Sequence, residues 1–141
     1  GIRDNLVSCG LAGDVEFLTD FDHAAKIDFL RSLSVLSVPE KRPAAYGLYV
    51  LEALAAGVPV VQPNHGVFPE LHQMTGGAVL FEPNNAAELA RALERLLLDP
   101  DYARQIGQNG QKAVFEKFNI EQTARQIVRI YQEVLQNFPR G

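Results

Sequence analysis

A single acidic residue lies within the longest uncharged apolar stretch of the sequence. Glu52 is the only formally charged residue between Arg42 and Glu70. A carboxylate in apolar surroundings requires hydrogen-bond donors, an opening to solvent or a proton. Vicinal hydroxyl groups, such as those of a ribose or a sugar, would supply suitable donors. Glu52 is therefore the first candidate ligand residue, and the alternative is a structural acid that pairs with a backbone N–H group or with Lys26.

A predicted helix that begins at Gly47 offers a second kind of chemistry beside Glu52. The backbone N–H groups of Tyr46, Gly47 and Leu48 would lie at its start, where the helix dipole favours a phosphate. Glycine also lets the backbone approach a ligand closely. The alternative is that Gly47 only supplies a tight turn.

The turn-rich segment of residues 62–70 holds the remaining candidates, His65 and Gly66. The His65 imidazole could donate a hydrogen bond to a ligand or to a neighbouring loop, or it could simply be exposed. Glu70 could serve a ligand or the dipole of a short helix. Metal binding is not expected, because the three histidines share no ligand spacing and Cys9 is the lone cysteine.

The elements that would position these residues alternate between helix and strand. This order predicts an α/β fold with an open parallel Rossmann-like sheet of about four strands, helices on both faces and a helical C-terminal tail. Because the chain opens on a helix, we expect the domain to be incomplete at its N-terminus. In such sheets ligands bind at the carboxyl ends of the strands. The predicted strands are residues 15–18, 34–39, 58–61 and 78–81.

Composition limits the classes of function. A length of 141 residues with 47% hydrophobic content predicts a single domain, residues 1–141. A net charge of −4 without a run of Lys and Arg argues against nucleic acid as a partner. No apolar stretch is long enough for a transmembrane segment, and no signal region is visible, so we expect a cytoplasmic protein. An open sheet edge could support a homo-oligomer.

Residues 35–70 resemble the donor-binding domain of retaining glycosyltransferases of the GT-B type, which transfer sugars from nucleotide-sugars. The resemblance extends over nearly the whole chain. It depends most on a glutamate followed by a helix end and a Gly-Val-Pro-Val-Val segment. The matching positions are Gly47-Leu48, Leu51-Glu52-Ala53, Ala56-Gly57-Val58-Pro59-Val60-Val61, Gly66 and Pro69-Glu70.

The resemblance implies a nucleotide-diphosphate sugar as donor, no cofactor, no metal, and an N-terminal acceptor-binding domain as partner. In the family, two glutamates separated by seven residues mark the site, and the second contacts the ribose hydroxyls. Glu52 matches the second glutamate, whereas the first position is Ala44. No catalytic residue can therefore be assigned, and this departure bears on turnover more than on nucleotide binding.

Two functions remain open at this point. The chain could be the truncated donor-binding part of a hexosyltransferase that is inactive alone. It could instead be a non-catalytic nucleotide-binding, anion-binding or interaction module derived from the same fold.

Overall fold

A parallel sheet forms the centre of the molecule. The computed structural model describes residues 1–19 and 22–137. Within them, strands β1 (Leu36–Ser37), β2 (Val60–Pro63) and β3 (Ala78–Phe81) form a sheet with the order β1-β2-β3. Both pairings are parallel, and Val60 of β2 pairs with Leu36 and with Ala78. The predicted open parallel sheet is thus confirmed.

Helices connect and surround these strands. A short 3₁₀-helix, Ala12–Asp14, follows the first helix. The α-helices of the described residues are α1 (Ile2–Ser8), α2 (His23–Ser32), α3 (Leu48–Ala55), α4 (Phe68–Thr75), α5 (Ala86–Leu98), α6 (Pro100–Lys117) and α7 (Ile120–Asn137). The last two form the predicted helical tail. None of the helices in residues 1–19 and 22–137 is both long and apolar enough to cross a membrane.

Side-chain caps fix the starts of two helices, α2 and α5. The Asp22 carboxylate accepts a hydrogen bond of 2.7 Å from the Ala25 amide at the start of α2. The Asn85 side chain accepts one of 3.1 Å from the Glu88 amide at the start of α5. Each bond satisfies an amide that has no partner within its helix. Short polar residues before an amphipathic stretch are therefore reliable helix starts in this chain.

The predicted strand at residues 15–18 is wrong. This segment has no regular secondary structure, and Val15, Phe17 and Leu18 are all more than one-third exposed. The guanidinium of Arg3 lies 4.4 Å from the centre of the Phe17 ring, so the segment contacts α1. A strand requires a neighbour for its backbone hydrogen bonds, and no described strand pairs with this segment. The sheet therefore has three strands in the described residues instead of about four.

Alternate side chains of β2 bury opposite faces of the sheet. Val60 packs in a cluster with Leu54 of α3 and Phe68 of α4. Val61 packs in another with Leu96 of α5 and Ile106 of α6. Both valines are 0% exposed. Helices therefore cover both faces, as expected for β2 at the centre of a parallel sheet.

Candidate functional site

Two loops meet at the carboxyl ends of neighbouring strands. The first loop, residues 38–47, connects β1 to α3, and the second loop, residues 64–67, connects β2 to α4. The Val67 amide donates a 3.0 Å hydrogen bond to the carbonyl oxygen of Ala44. Gly66 lies so close to Ala44 that a Cβ atom would lie 2.6 Å from the same oxygen. The structure thus brings the predicted residues Ala44 and Gly66 into direct contact.

The start of α3 lies open beside this contact. Gly47, at the N-cap, adopts a left-handed conformation with φ +62°, and no side chain caps the helix. A Cβ atom at Gly47 would lie 3.0 Å from Cδ1 of Leu71, so the tight turn itself demands glycine. Tyr46 and Leu48 are 84% and 65% exposed. The first-turn N–H groups of α3 therefore have no side-chain acceptor, which makes them candidate donors to an anion.

Glu52 faces α2. Its two carboxylate oxygens lie 2.8 and 2.7 Å from Nζ of Lys26. The side chains of Glu52 and Lys26 are 34% and 44% exposed. Both line a groove of about 240 Å³ between α2 and α3. The pairing with Lys26 that the sequence allows is thus present, and the carboxylate remains accessible to a ligand in the groove.

His65 links the second loop to the first. Its Nε2 atom lies 3.0 Å from the backbone carbonyl oxygen of Glu40. Because a carbonyl oxygen only accepts, Nε2 carries the proton and donates. The Nδ1 atom is buried and has no hydrogen-bond partner in the described part of the chain. Of the alternatives for His65, a contact with the neighbouring loop is the one that the structure contains.

A buried polar network was not predicted. The Gln62 side chain, 1% exposed, accepts a 3.0 Å hydrogen bond from the Val38 amide and donates one of 3.1 Å to the Tyr49 hydroxyl. The Tyr49 hydroxyl donates in turn to a carboxylate oxygen of Glu40 at 2.6 Å. The available signal was a glutamine inside an otherwise apolar strand, since a buried amide needs partners.

Burial governs the ionisation of Tyr49. Desolvation raises the pKa of the Tyr49 hydroxyl well above its ordinary value, and the hydrogen bond to the Glu40 carboxylate raises that pKa further. Both effects disfavour the phenolate. Tyr49 is therefore a hydrogen-bond donor to Glu40 throughout the physiological pH range.

The described residues contain no cluster of three or more His, Cys, Asp or Glu side chains that could hold a metal ion. Glu70 lies exposed in the first turn of α4, where its charge complements the helix dipole. The loops at the strand ends offer the α3 N–H groups and the Gln62–Tyr49–Glu40 network, and Glu52 lies in the groove between α2 and α3.

Comparison with known proteins identifies the family. The family profile described as "Glycosyl transferases group 1" matches residues 3–113, and the chain belongs to this family. Among curated proteins, it is 32% identical over 127 residues to N-acetyl-alpha-D-glucosaminyl L-malate synthase of Bacillus anthracis. That alignment covers 90% of the chain and 32% of the relative. The chain therefore spans about a third of the length of this relative.

Solved structures agree with the family assignment. Sucrose-phosphate synthase from Thermosynechococcus elongatus superposes with a TM-score of 0.83 at 29% identity, over 97% of this chain and 34% of that one. HepE from Anabaena, in a complex with UDP, superposes with a TM-score of 0.83 at 22% identity, over 94% of this chain and 36% of that one. The Rossmann-like fold of the GT-B class is thus shared.

Proposed function

We propose that this chain is the donor-binding, C-terminal part of a two-domain GT-B glycosyltransferase that transfers a sugar with retention of configuration. The observation that carries this proposal is the contact of the first and second loops through Ala44 and Gly66 beside the uncapped start of α3. Membership in the glycosyltransferase family supports a nucleotide-sugar as the donor. The UDP in the HepE complex is consistent with this ligand class.

Each candidate residue has a role in this proposal. The N–H groups of Tyr46, Gly47 and Leu48 bind the diphosphate at the α3 N-terminus. The Glu52 carboxylate accepts hydrogen bonds from the ribose hydroxyls, and its remaining lone pairs accept from Lys26. No cofactor and no metal take part.

The second loop completes the donor site from the other side. His65 and Gly66 border the diphosphate, and His65 holds the first loop through the Glu40 carbonyl. Glycine at position 66 is required because the loops touch there. The orientation of the α3 N-terminus toward the donor therefore depends on both loops.

Ala44 limits what the chain can do alone. It occupies the position where the resembling family has an acid near the donor sugar, and a methyl group cannot act there as an acid, base or acceptor. We therefore propose that the isolated chain binds the donor without transferring sugar, and that an acceptor-binding domain supplies the rest of the site.

A thermal-shift titration of the chain with UDP, GDP, ADP and their glucose and mannose conjugates tests donor binding. Ligand at about 100 times its dissociation constant should stabilise the fold by about 2.7 kcal/mol. Inorganic pyrophosphate is the control, because it lacks the ribose that Glu52 would bind. A shift with one nucleotide and its conjugates is expected, whereas no shift with any of them contradicts the proposal.

The second candidate function is a module that binds the nucleotide without any turnover, and Ala44 is the observation that favours it. The two are separated in a protein that also contains the acceptor-binding domain. Sugar-nucleotide turnover in that protein supports the transferase. Nucleotide binding without turnover, in the parent and in an Ala44→Glu variant, supports the module.

A further inference from the structure

We propose that Glu40 and Tyr49 are positioning residues, which hold the first loop in the conformation that presents the α3 N–H groups to an anion. This inference rests on the proposed donor site but concerns residues outside it. The two side chains join the loop to the helix that it precedes, over a distance of 2.6 Å. Neither residue needs to contact the ligand for this role.

The chemistry of the three side chains fixes which group donates and which accepts in each hydrogen bond of the network. The Gln62 amide nitrogen can only donate, so the Tyr49 oxygen accepts from it at 3.1 Å and donates its single proton to Glu40. The Gln62 carbonyl oxygen is occupied by the Val38 amide at 3.0 Å. Each group thus has a partner, and an alternative arrangement would leave a buried polar atom unsatisfied.

Glu40 joins the two loops at a second point, besides the hydrogen bond from the Val67 amide to Ala44. Its side chain accepts from Tyr49 of α3, and its backbone carbonyl accepts from His65 Nε2 of the second loop at 3.0 Å. Its own amide donates to the Val38 carbonyl at 2.8 Å, which closes a tight turn after β1. Glu40 therefore has contacts with α3, with the second loop and with the end of β1.

The alternative is that the network contributes only to the stability of the fold. Tyr49 also packs in the core, with its ring centre 6.4 Å from that of Phe68, so its removal would lower stability in either case. Tyr49→Phe retains this packing and removes only the hydroxyl. Glu40→Gln retains an oxygen that accepts from Tyr49, whereas Glu40→Ala does not.

The test measures amide hydrogen exchange in both loops together with the dissociation constant of the nucleotide found in the titration. For Tyr49→Phe and Glu40→Ala we expect exchange in residues 44–48 and 64–67 to rise about tenfold and the dissociation constant to rise about tenfold. Glu40→Gln should stay within about threefold of the parent in both measurements. Tyr102→Phe, which removes a hydroxyl on α6, is the matched control and should change neither.

Unchanged loop exchange and affinity in Tyr49→Phe, with only a lower unfolding midpoint, would overturn the proposal. Equal losses in Glu40→Gln and Glu40→Ala would overturn it as well, since the charge and not the position would then matter. If the parent binds no nucleotide, the proposed donor function is wrong. Faster loop exchange in Tyr49→Phe and Glu40→Ala would then still support a positioning role for Glu40 and Tyr49.

Discussion

Gly66 lies against the backbone of Ala44, and a Cβ atom at residue 66 would lie 2.6 Å from the Ala44 carbonyl oxygen and 2.7 Å from its amide nitrogen. These residues belong to loops that follow different strands, β1 and β2. Their contact brings together two sequence segments that the resemblance treats as separate parts of one site. Its removal should therefore affect both stability and ligand binding.

Gly66→Ala should lower the free energy of unfolding by about 2–4 kcal/mol, because the new methyl group collides with the Ala44 backbone and the residue must keep φ +59°. Denaturant unfolding measures the change. Gly10→Ala is the matched control, since Gly10 has φ +72° and a methyl group there would meet nothing within 4 Å. Equal losses in the two variants would show that the loop contact adds nothing.

Gly110→Ala should destabilise the protein, although alanine is the better helix former by about 1 kcal/mol. A Cβ atom at Gly110 would lie 2.6 Å from Cδ2 of Leu54 and 3.0 Å from Cα of Gly77. Overpacking of this kind costs about 1–3 kcal/mol. Gln108→Ala, at an exposed position of α6, is the control in the same unfolding experiment. A stabilised Gly110→Ala variant would contradict the close packing of α6 on α3.

Helix caps and packed glycines differ in how far the sequence alone indicates them. The caps at Asp22 and Asn85 are local features, because a cap and its helix are neighbours in sequence. Glycine is a poor helix former, yet Gly110 of α6 makes a close contact with α3 and with Gly77, just before β3. Such contacts depend on the distant residues that surround a glycine, and a single sequence does not contain that information.

The candidate site likewise contains features that the sequence indicated and features that it did not. The residue type at Gly47 indicated a tight turn, and its positive φ angle confirms that, whereas the positive φ angle of Gly66 was not predicted. The network through Gln62, Tyr49 and Glu40 was missed, because the three residues lie on a strand, a helix and a loop. The strand at residues 15–18 was predicted from its local pattern alone, without a neighbour to pair with.

Lys26→Met should change the free energy of unfolding by less than about 1 kcal/mol, because the side chains of Lys26 and Glu52 are 44% and 34% exposed to solvent. The methionine retains most of the apolar stem that packs in the α2–α3 groove. Denaturant unfolding at low and high salt checks this. A loss above about 2 kcal/mol would mean that the pair is a main support of α2 and that Glu52 has a structural role.

Tyr49→Phe should leave the alkaline phenolate absorbance of the folded protein unchanged. The raised pKa of Tyr49 keeps its hydroxyl protonated in the fold, so this residue adds nothing to a titration from about pH 9 to about pH 11.5. Since the folded pKa is raised, the stability contributed by Tyr49 is complete below the unfolded value of about 10 and declines as the pH rises above it. The sequence has four tyrosines, so a loss of about a quarter of the amplitude would contradict the burial of this hydroxyl.

The most direct measurement is calorimetric titration of the parent chain, Glu52→Gln and Glu94→Gln with the nucleotide that stabilises the fold. Glu94 is an exposed acid on α5 and serves as the control. Donor binding through Glu52 predicts a loss of about 1–3 kcal/mol of binding free energy in Glu52→Gln alone, with little change in unfolding. An unchanged affinity in Glu52→Gln, together with a lower unfolding midpoint, would show that Glu52 only holds Lys26 and would contradict the proposed donor site.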